Sequence, residues 1–399
     1  MGVIENTSIP LDELADELKE NILPYWMEKM VDHEHGGFYG RRDGYDELDK
    51  YADKGIILNT RILWTFSSAA RAFDDPAYRK TADRAYHYIK EYFIDAKNGG
   101  VYWMVDYKGN PTQTKKQVYA QAFAIYALAE YFLATGIQQS LDEAIRLFEL
   151  IEQYSFDKKD DGYLEAFDEE WNLLEDLRLS DKDANEKKTM NTHLHVLEAY
   201  TTLHSVWKNS TLEKQLRNLV ILFKEKIIND NFQYDLFFNE HWELQSRTTS
   251  FGHDIEGSWL LCEAAAVLND DELLKEIQDI AIKTVDKTLS DGLDEDGGLM
   301  NETKPDGLTD TDKHWWPQAE ALVGLVNSWQ ISGNDVYLSH ANRVWKFIKA
   351  NLVDEKNGEW FWMVHRDQQV NYKEDKAGPW KCPYHNGRAM IELIKRLSK

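Results

Sequence analysis

The chain has 399 residues with 46 basic and 70 acidic side chains, and its formal net charge is −24 with neutral histidines. This charge, without any basic stripe, excludes a nucleic-acid backbone as partner. The sequence lacks both an apolar run of about eighteen residues and a basic start followed by an apolar segment, so it predicts a soluble cytoplasmic protein with no membrane partner. Cys262 and Cys382 are too few to staple a chain of this size, and their spacing does not fit a zinc site.

A turn-forming segment followed by aromatic or other apolar residues recurs six times, at intervals of about 60 to 70 residues. Such a period predicts a repeat architecture. The six markers are Gly36-Gly37-Phe38-Tyr39, Gly99-Gly100-Val101-Tyr102-Trp103, Asp161-Gly162-Tyr163, Tyr234-Asp235-Leu236-Phe237, Gly297-Gly298-Leu299 and Gly358-Glu359-Trp360-Phe361-Trp362.

Two helix-like stretches separate successive markers, one amphipathic and one apolar on all sides. An amphipathic stretch such as 140–155 is expected outside, and an apolar stretch such as 116–135 inside. In chain order the predicted helices alternate outer and inner, near 11–31, 56–73, 76–94, 116–135, 140–155, 189–207, 210–229, 252–268, 271–289, 315–332, 335–352 and 383–397.

Because the chain opens on an outer helix and closes on an inner one, the first must pair with the last if no apolar face is to stay bare. The sequence therefore predicts an all-α protein, an (α/α)6 barrel of six inner and six outer helices, as one domain over residues 1–399. Turns from inner to outer helices are short, whereas the connections back to inner helices are long and contain the markers. One mouth of the barrel is expected to hold the long, functional loops.

Unusual polar or aromatic side chains stand at the start of every predicted inner helix, just after the long connection. A closed ring brings these starts to one mouth, which predicts a site there. The six residues are Arg61, Tyr119, His195, His253, Trp315 and His385.

Local spacing adds neighbours to two of these histidines. Asn191 and His195 are one helical turn apart and share a face, whereas His193 points elsewhere and is interpreted as structural. His253 and Glu256 also share a face, and a carboxylate beside an imidazole orients it and raises its basicity, as a general base requires.

Two alternatives use the same residues. His193 with His195, or His253 with Glu256, would be metal ligands, but histidines two apart diverge on a helix and no paired metal motif is present. Cys382, three residues before His385, would be a nucleophile beside a base, although packing is favoured at this crowded helix start. Since no phosphate loop or dinucleotide fingerprint occurs, the sequence predicts neither a metal nor an organic cofactor.

Six segments together resemble the cellobiose 2-epimerases, a group within the N-acylglucosamine 2-epimerase superfamily, over essentially the full length. The resemblance implies an (α/α)6 barrel that needs no metal or nucleotide. It also implies epimerisation at C2 of the reducing-end glucose of β-1,4-linked disaccharides to mannose. The segments are LNTRILW (58–64), KKQVYAQAF (115–123), MNTHLHVLEAY (190–200), SFGHDIEGSWLL (250–261), KHWWPQAEA (313–321) and WKCPYHNGR (380–388).

Carried over residue by residue, the resemblance implies roles for eleven side chains. His253 and His385 would be the acid/base pair at C2, with His195 and Arg61 on the oxygens of the opened sugar. Glu256 and Glu320 would support the histidines. The implied substrate contacts are hydrogen bonds from Tyr119, Asn191 and Asp183, and stacking on Trp315 and Trp380.

Removing a proton next to an aldehyde requires a base of near-neutral pKa and a cation or donor at the developing enediolate, which histidines and an arginine supply. Part of the predicted site would also serve three other functions. The first is epimerisation of free mannose or aldose–ketose isomerisation. The others are hydrolysis by carboxylates such as Glu256, Glu320 or Asp254, and glycan binding without catalysis. The expected partner is a small sugar, and the expected oligomeric state is a monomer or a weak homodimer.

Overall fold

The computed structural model describes residues 9–180, 183–304 and 306–398. Over these residues it confirms the predicted (α/α)6 barrel, with six inner and six outer helices. Each inner helix packs against the next, and the last packs against the first, so the ring is closed. The inner helices are Ile56–Phe73, Val118–Thr135, Met190–Val206, Phe251–Val267, Trp315–Ser332 and Tyr384–Leu397.

The outer helices surround this ring. The first is continuous from Leu11–Asp16 through the π-helical Glu17–Ile22 to Leu23–Glu28, and it packs against the last inner helix, as the closure argument predicts. Two others, Pro76–Tyr88 and Ser210–Leu222, also continue into π-helical turns, Ile89–Phe93 and Phe223–Ile227. The remaining three are Gln138–Tyr154, Asp271–Gly292 and Val336–Asn351.

The two kinds of helix differ in what they bury. Val118–Thr135 is buried at every position from Val118 to Tyr131, so its apolar side chains have no solvent face. In contrast, Gln138–Tyr154 buries Leu141, Ala144, Leu147, Phe148 and Ile151, the three-and-four spacing of a helix with one wet face.

Short antiparallel strands line the long connections and form a belt around one mouth. A strand just before each of the first five inner helices pairs with a strand from the following connection, for example Lys54–Gly55 with Met104–Val105. A bridge between Arg42 and Ala377 joins the first connection to the last. The other strands are Arg41–Arg42, Leu48–Asp49, Pro111–Gln113, Lys116–Gln117, Ala166–Phe167, Lys188–Thr189, Phe237–Phe238, Thr249–Ser250, Glu302–Lys304, Gly307–Asp310, Lys313–His314 and Met363–Val364.

The fourth residue of four inner helices holds a marker loop in place. Its side chain accepts the backbone N–H of the marker's apolar residue at 2.7–2.9 Å. We call these four contacts the loop clamps: Gln121 to Val101, His193 to Tyr163, Asp254 to Tyr234, and Gln318 to Leu299.

Glycine is required where a clamp passes close to the marker. Gly162 has φ +81°, and a Cβ there would lie 2.7 Å from His193 Nε2 and 2.5 Å from the Trp242 ring. This turn therefore requires glycine both for its left-handed backbone conformation and for its lack of a side chain.

Buried ion pairs also tie the markers to the belt. Five lysines on the belt or in the last connection pair with the aspartate that opens the same connection, at 2.5–2.9 Å. The pairs are Lys54 with Asp32, Lys116 with Asp95, Lys188 with Asp157, Lys313 with Asp294, and Lys376 with Asp354. None of the helices over the described ranges has the length and apolar character needed to span a membrane.

Candidate active site

A cavity of about 200 Å³ opens at the mouth that the long connections surround. All six inner helices or the segments just before them contribute to its wall. Nine of the eleven predicted site residues line it, together with two tryptophans: Arg61, Tyr119, Asn191, His195, His253, Glu256, Trp315, Trp380 and His385, with Trp316 and Trp362.

The helix register explains why these side chains meet. Tyr119, Asn191 and His385 are each the second residue of an inner helix. Arg61 and His195 are the sixth, one turn further on and on the same face. In a closed ring the side chains at these second and sixth positions point towards the barrel axis near the mouth.

His385 is buried and held by an anion. Its Nδ1 lies 2.6 Å from Glu320 Oε1 and 3.9 Å from Glu256 Oε1. Glu320 lies one turn deeper than the cavity wall and accepts a further bond from the indole N–H of Trp259 at 3.1 Å. The structure therefore places Glu320 behind His385, in the supporting position that the resemblance implies.

His195 has an anionic partner that the sequence reasoning missed. Its Nδ1 lies 2.9 Å from Glu198 Oε2, and both side chains are buried. The residues are three apart on one inner helix, so the same spacing rule that linked His253 to Glu256 would have found this pair.

His253 does not pair with Glu256, and that prediction is wrong. Its Nδ1 lies 2.9 Å from the Ser250 hydroxyl, and its ring centroid is 4.8 Å from that of Trp316. Glu256 lies one turn deeper, where Arg388 donates to its Oε1 at 2.6 Å. This competing cation comes from the sixth inner helix, and helical spacing along the fourth helix alone could not predict it.

Arg61 is buried with its guanidinium at the cavity. Nη2 donates to the Tyr119 hydroxyl at 2.8 Å, and the group stacks over the Phe123 ring at 4.4 Å. Among the described residues, its Nε and the side-chain oxygen of Asn191 have no hydrogen-bond partner. Both are buried polar atoms without a partner, on side chains that line the cavity.

Tryptophans form much of the remaining wall. Trp316 lies between the catalytic candidates, with ring centroids 4.8 Å from His253 and 5.7 Å from His385. Trp362, from the last marker, contacts Trp315 at 4.8 Å. Sequence reasoning missed Trp316 and Trp362, although both stand beside residues that it quoted.

Asp183 does not line this cavity. It borders a neighbouring cavity of about 830 Å³, and its Oδ2 accepts bonds from the backbone and hydroxyl of Ser180 at 2.8 and 3.0 Å. The two cavities share Asn191, His253 and Trp316 as wall residues.

Burial sets the protonation of the site. It lowers the pKa of His253 and His195 to about 3, from the ordinary 6.5, because the interior disfavours the imidazolium. Burial also raises the pKa of the Glu256 and Glu320 carboxyls. At neutral pH His253 and His195 are thus neutral imidazoles, the form that accepts a proton, but their pKa lies below the near-neutral value expected of the base from the sequence.

The side chains considered as metal ligands make other hydrogen bonds or ion pairs. His193 Nε2 accepts the amide of Tyr163, so its Nδ1 carries the proton and donates to the Thr189 carbonyl. Glu256, Glu320 and His385 do cluster, but Arg388 Nη2 lies 2.6 and 2.7 Å from the two carboxylates and supplies the positive charge there.

Cys382 is buried 3.9 Å from Arg61 Nη1, and burial raises the pKa of its thiol. A thiol held protonated is a poor nucleophile, which agrees with the packing role favoured by the sequence.

Neutral, oriented imidazoles and an arginine around a small aromatic cavity are the groups of an enzyme that transfers protons and stabilises a developing negative charge. The model for the N-acylglucosamine 2-epimerase (GlcNAc 2-epimerase) family matches residues 37–389. The chain belongs to this family, and it is an isomerase.

Similar proteins span the same length. A cellobiose 2-epimerase of Bacteroides fragilis is 51% identical over 384 residues, 96% of this chain and 98% of the relative. One of Dictyoglomus turgidum is 40% identical, with 96% and 98% covered. The structure of cellobiose 2-epimerase from Bacillus thermoamylovorans superimposes with a TM-score of 0.92 at 41% identity, covering 97% of this chain and 99% of that one.

Proposed function

We propose that this protein is a cellobiose 2-epimerase, which interconverts glucose and mannose at the reducing end of β-1,4-linked disaccharides. The observation that carries the proposal is the pair His253 and His385, which line one small cavity with the Arg61 guanidinium. They stand on the fourth and sixth inner helices, and Trp316 of the fifth lies between them. Relatives carrying this name and spanning the whole chain support the same function.

In this proposal the two imidazoles exchange a proton with C2 of the ring-opened sugar. One neutral imidazole accepts the C2 proton and becomes an imidazolium, which leaves a planar enediolate. The other imidazole, as an imidazolium that has taken a proton from solvent, donates this proton to the opposite face of C2, and exchange with solvent then restores both rings. Arg61 and Asn191, which line the cavity beside the histidines, are assigned to the sugar oxygens. A buried guanidinium stabilises the negative charge that develops on such an oxygen more strongly than water does.

The site assignments follow from the same geometry. His195 is held by Glu198 and faces Arg61's partner Tyr119, with ring centroids 4.9 Å apart, so it is assigned to the polar groups that contact the sugar. Tyr119, Trp315 and Trp380 are assigned to binding as cavity wall. Asp183, across the shared wall, is assigned to the second cavity.

A disaccharide is favoured over free mannose by the second cavity. It adjoins the small cavity along Asn191, His253 and Trp316, and its volume of about 830 Å³ falls in the usual range for ligand sites. A monosaccharide at the histidines would leave it unused.

Hydrolysis is disfavoured by the state of the carboxylates. Asp254 serves as a loop clamp behind the inner helix. Glu256 and Glu320 are both bonded to Arg388. A glycosidase needs a carboxylic acid and a free carboxylate that flank the scissile bond.

The function is tested by incubating the protein with cellobiose, lactose, mannobiose, mannose and N-acetylglucosamine and identifying the products by chromatography. We expect the 2-epimer from the three disaccharides, formed faster than any product from the two monosaccharides. Release of monosaccharide from cellobiose would indicate a hydrolase, and turnover of mannose alone would contradict the disaccharide assignment.

A further inference from the structure

Arg388 lies beneath the active site and has no part in the reaction as described so far. It is on the last inner helix, one turn after His385, and only 1% of its side chain is exposed. Its guanidinium stacks on Trp259 at 4.7 Å and on Tyr384 at 4.3 Å. The group is therefore fixed on both faces, a position that suits arginine because its planar cation is weakly hydrated.

The edge of this guanidinium binds three carboxylates from three different inner helices. Nη2 donates to Glu256 Oε1 at 2.6 Å and to Glu320 Oε1 at 2.7 Å. Nη1 donates to Glu198 and lies against the Tyr384 hydroxyl. Arg388 thus connects the third, fourth and fifth inner helices to the sixth at the level just below the cavity.

Two of these carboxylates are the groups that hold the histidines. Glu320 bonds His385 Nδ1 at 2.6 Å, and Glu198 bonds His195 Nδ1 at 2.9 Å. A shift of Arg388 would therefore move both imidazoles at once, through one intervening carboxylate each. Hydrogen-bonded partners of this kind orient an acid or base and tune its proton affinity.

Arg388 offsets part of the negative charge of the buried carboxylates around it. Three buried carboxylates face two guanidiniums, since Arg61 is the second cation at the site. Burial raises the pKa of all three carboxyls, and Arg388 opposes that rise. The charged and titratable groups that face the cluster come from every inner helix: Arg61, Tyr119, Tyr126, His195, Glu198, Glu256, Glu263, Glu320, Tyr384 and His385.

We propose that Arg388 is a positioning residue for the epimerisation. It gathers Glu198, Glu256 and Glu320 into one cluster, and through this cluster it orients His385 and His195 and offsets part of the negative charge beneath them. The inference rests on the proposed epimerase function and extends it to a residue that touches neither substrate nor reacting atom.

The test compares Arg388→Met, Arg388→Lys, Glu198→Gln and the double variant Arg388→Met/Glu198→Gln with the unchanged protein on cellobiose. For Arg388→Met we expect kcat to fall about 100-fold with KM nearly unchanged, because the histidines are displaced rather than the sugar wall. Arg388→Lys keeps the charge but not the three-way bridge, so it should recover part of this loss.

The pH profile separates charge balance from packing. Removal of the guanidinium raises the pKa of His385 and of the carboxyls, so the acid limb of kcat/KM should move up by about one pH unit in Arg388→Met. Glu198→Gln removes a negative charge and should move the same limb down. In the double variant the two shifts should largely cancel, which loss of packing alone would not produce.

Arg396→Met is the matched control. Arg396 is on the same helix and also lies over the Trp259 ring, at 5.8 Å, but its ion pairs are with Glu263 and Glu392 rather than with the carboxylates that hold the histidines. The pH profile of Arg396→Met should therefore match that of the unchanged protein. An Arg388→Lys protein with unchanged kcat, or limbs that shift in one direction in both Arg388→Met and Glu198→Gln, would overturn the proposal. If Arg388→Met does not fold, the test rests on the near-isosteric Glu198→Gln. An acid limb of kcat/KM that does not shift in Glu198→Gln would then contradict the proposal. Failure of the unchanged protein to epimerise cellobiose would refute the proposed function instead.

Discussion

The two imidazoles assigned to C2 have different hydrogen-bond partners. His253 contacts the Ser250 hydroxyl, whereas His385 contacts the Glu320 carboxylate. A carboxylate stabilises an imidazolium far more than a hydroxyl does. The two bases are therefore unequal, and each is expected to serve its own face of the planar intermediate.

Substitution of either histidine should separate proton exchange from epimerisation. We expect His253→Ala and His385→Ala each to lose about 10²–10⁴ in net epimerisation, the usual contribution of a proton-transfer group. Each variant keeps one base, so it should still exchange the C2 hydrogen of the one epimer that this base faces. Exchange is measured by NMR from cellobiose and from its mannose epimer separately. A variant that epimerises at the unchanged rate would refute the two-base assignment.

The acid limit of activity follows from the lowered pKa of the histidines that line the cavity. The base must be neutral, and burial lowers the pKa of His253 to about 3, so falling pH should leave it neutral well below 6.5. We therefore expect kcat/KM to hold as pH falls through 6.5 and to be lost only at lower pH. Because unfolded histidines bind protons below 6.5, stability also falls in this direction, and circular dichroism must confirm folding at each point. A limb at 6.5 or above in folded protein would contradict the account.

Single residues show what the sequence predicts and what it omits. The repeat period locates the start of each inner helix, which is enough to bring Arg61, His195 and His385 to one mouth. The repeat period does not predict how deep each side chain lies along the barrel axis. The bond from Arg388 to Glu256 was therefore missed, and a pair of His253 with Glu256 was expected instead. Trp362 lies in a loop, where side-chain direction depends on turn conformation rather than on helical spacing.

At the scale of the element, the fourth position of an inner helix has a structural function. Two of the loop clamps are glutamines, Gln121 and Gln318, and one is His193. All three receive a marker amide, so the histidine is not required for its acid–base chemistry. This explains why one of two neighbouring histidines, His195, points to the axis and the other does not.

Replacing His193 by glutamine tests this interpretation. We expect His193→Gln to keep epimerase activity, because the glutamine can accept the Tyr163 amide as Gln121 accepts that of Val101. His193→Ala should lose about 1–3 kcal/mol of stability, the cost of an unsatisfied buried donor. Burial lowers the pKa of His193 to about 4, so its contribution to stability declines as pH falls below 6.5. Urea unfolding at pH 7.5 and 5.5 should therefore show less acid sensitivity for His193→Gln than for the unchanged protein. Loss of activity in a folded His193→Gln protein would place this side chain in the reaction.

At the scale of the whole molecule, the site exists only when the ring is closed. Arg61 is on the first inner helix and His385 on the last, which pack against each other. The first outer helix completes the seam, where the indole N–H of Trp360 donates to Glu17 at 2.7 Å. The alternation of apolar and amphipathic helices predicted this closure, because an unpaired first or last helix would expose an apolar face.

Closure also brings the histidines to one cavity, and the central claim is that they remove and return the proton at C2 of the sugar. The most direct test is to run the reaction with cellobiose in heavy water and to observe C2 of the reducing-end sugar by NMR and mass spectrometry. We predict that the mannose epimer carries deuterium at C2 and that deuterium enters the remaining cellobiose as the reaction approaches equilibrium. Formation of the epimer with its original hydrogen fully retained would indicate hydride transfer or carbon–carbon cleavage and would contradict proton transfer by His253 and His385.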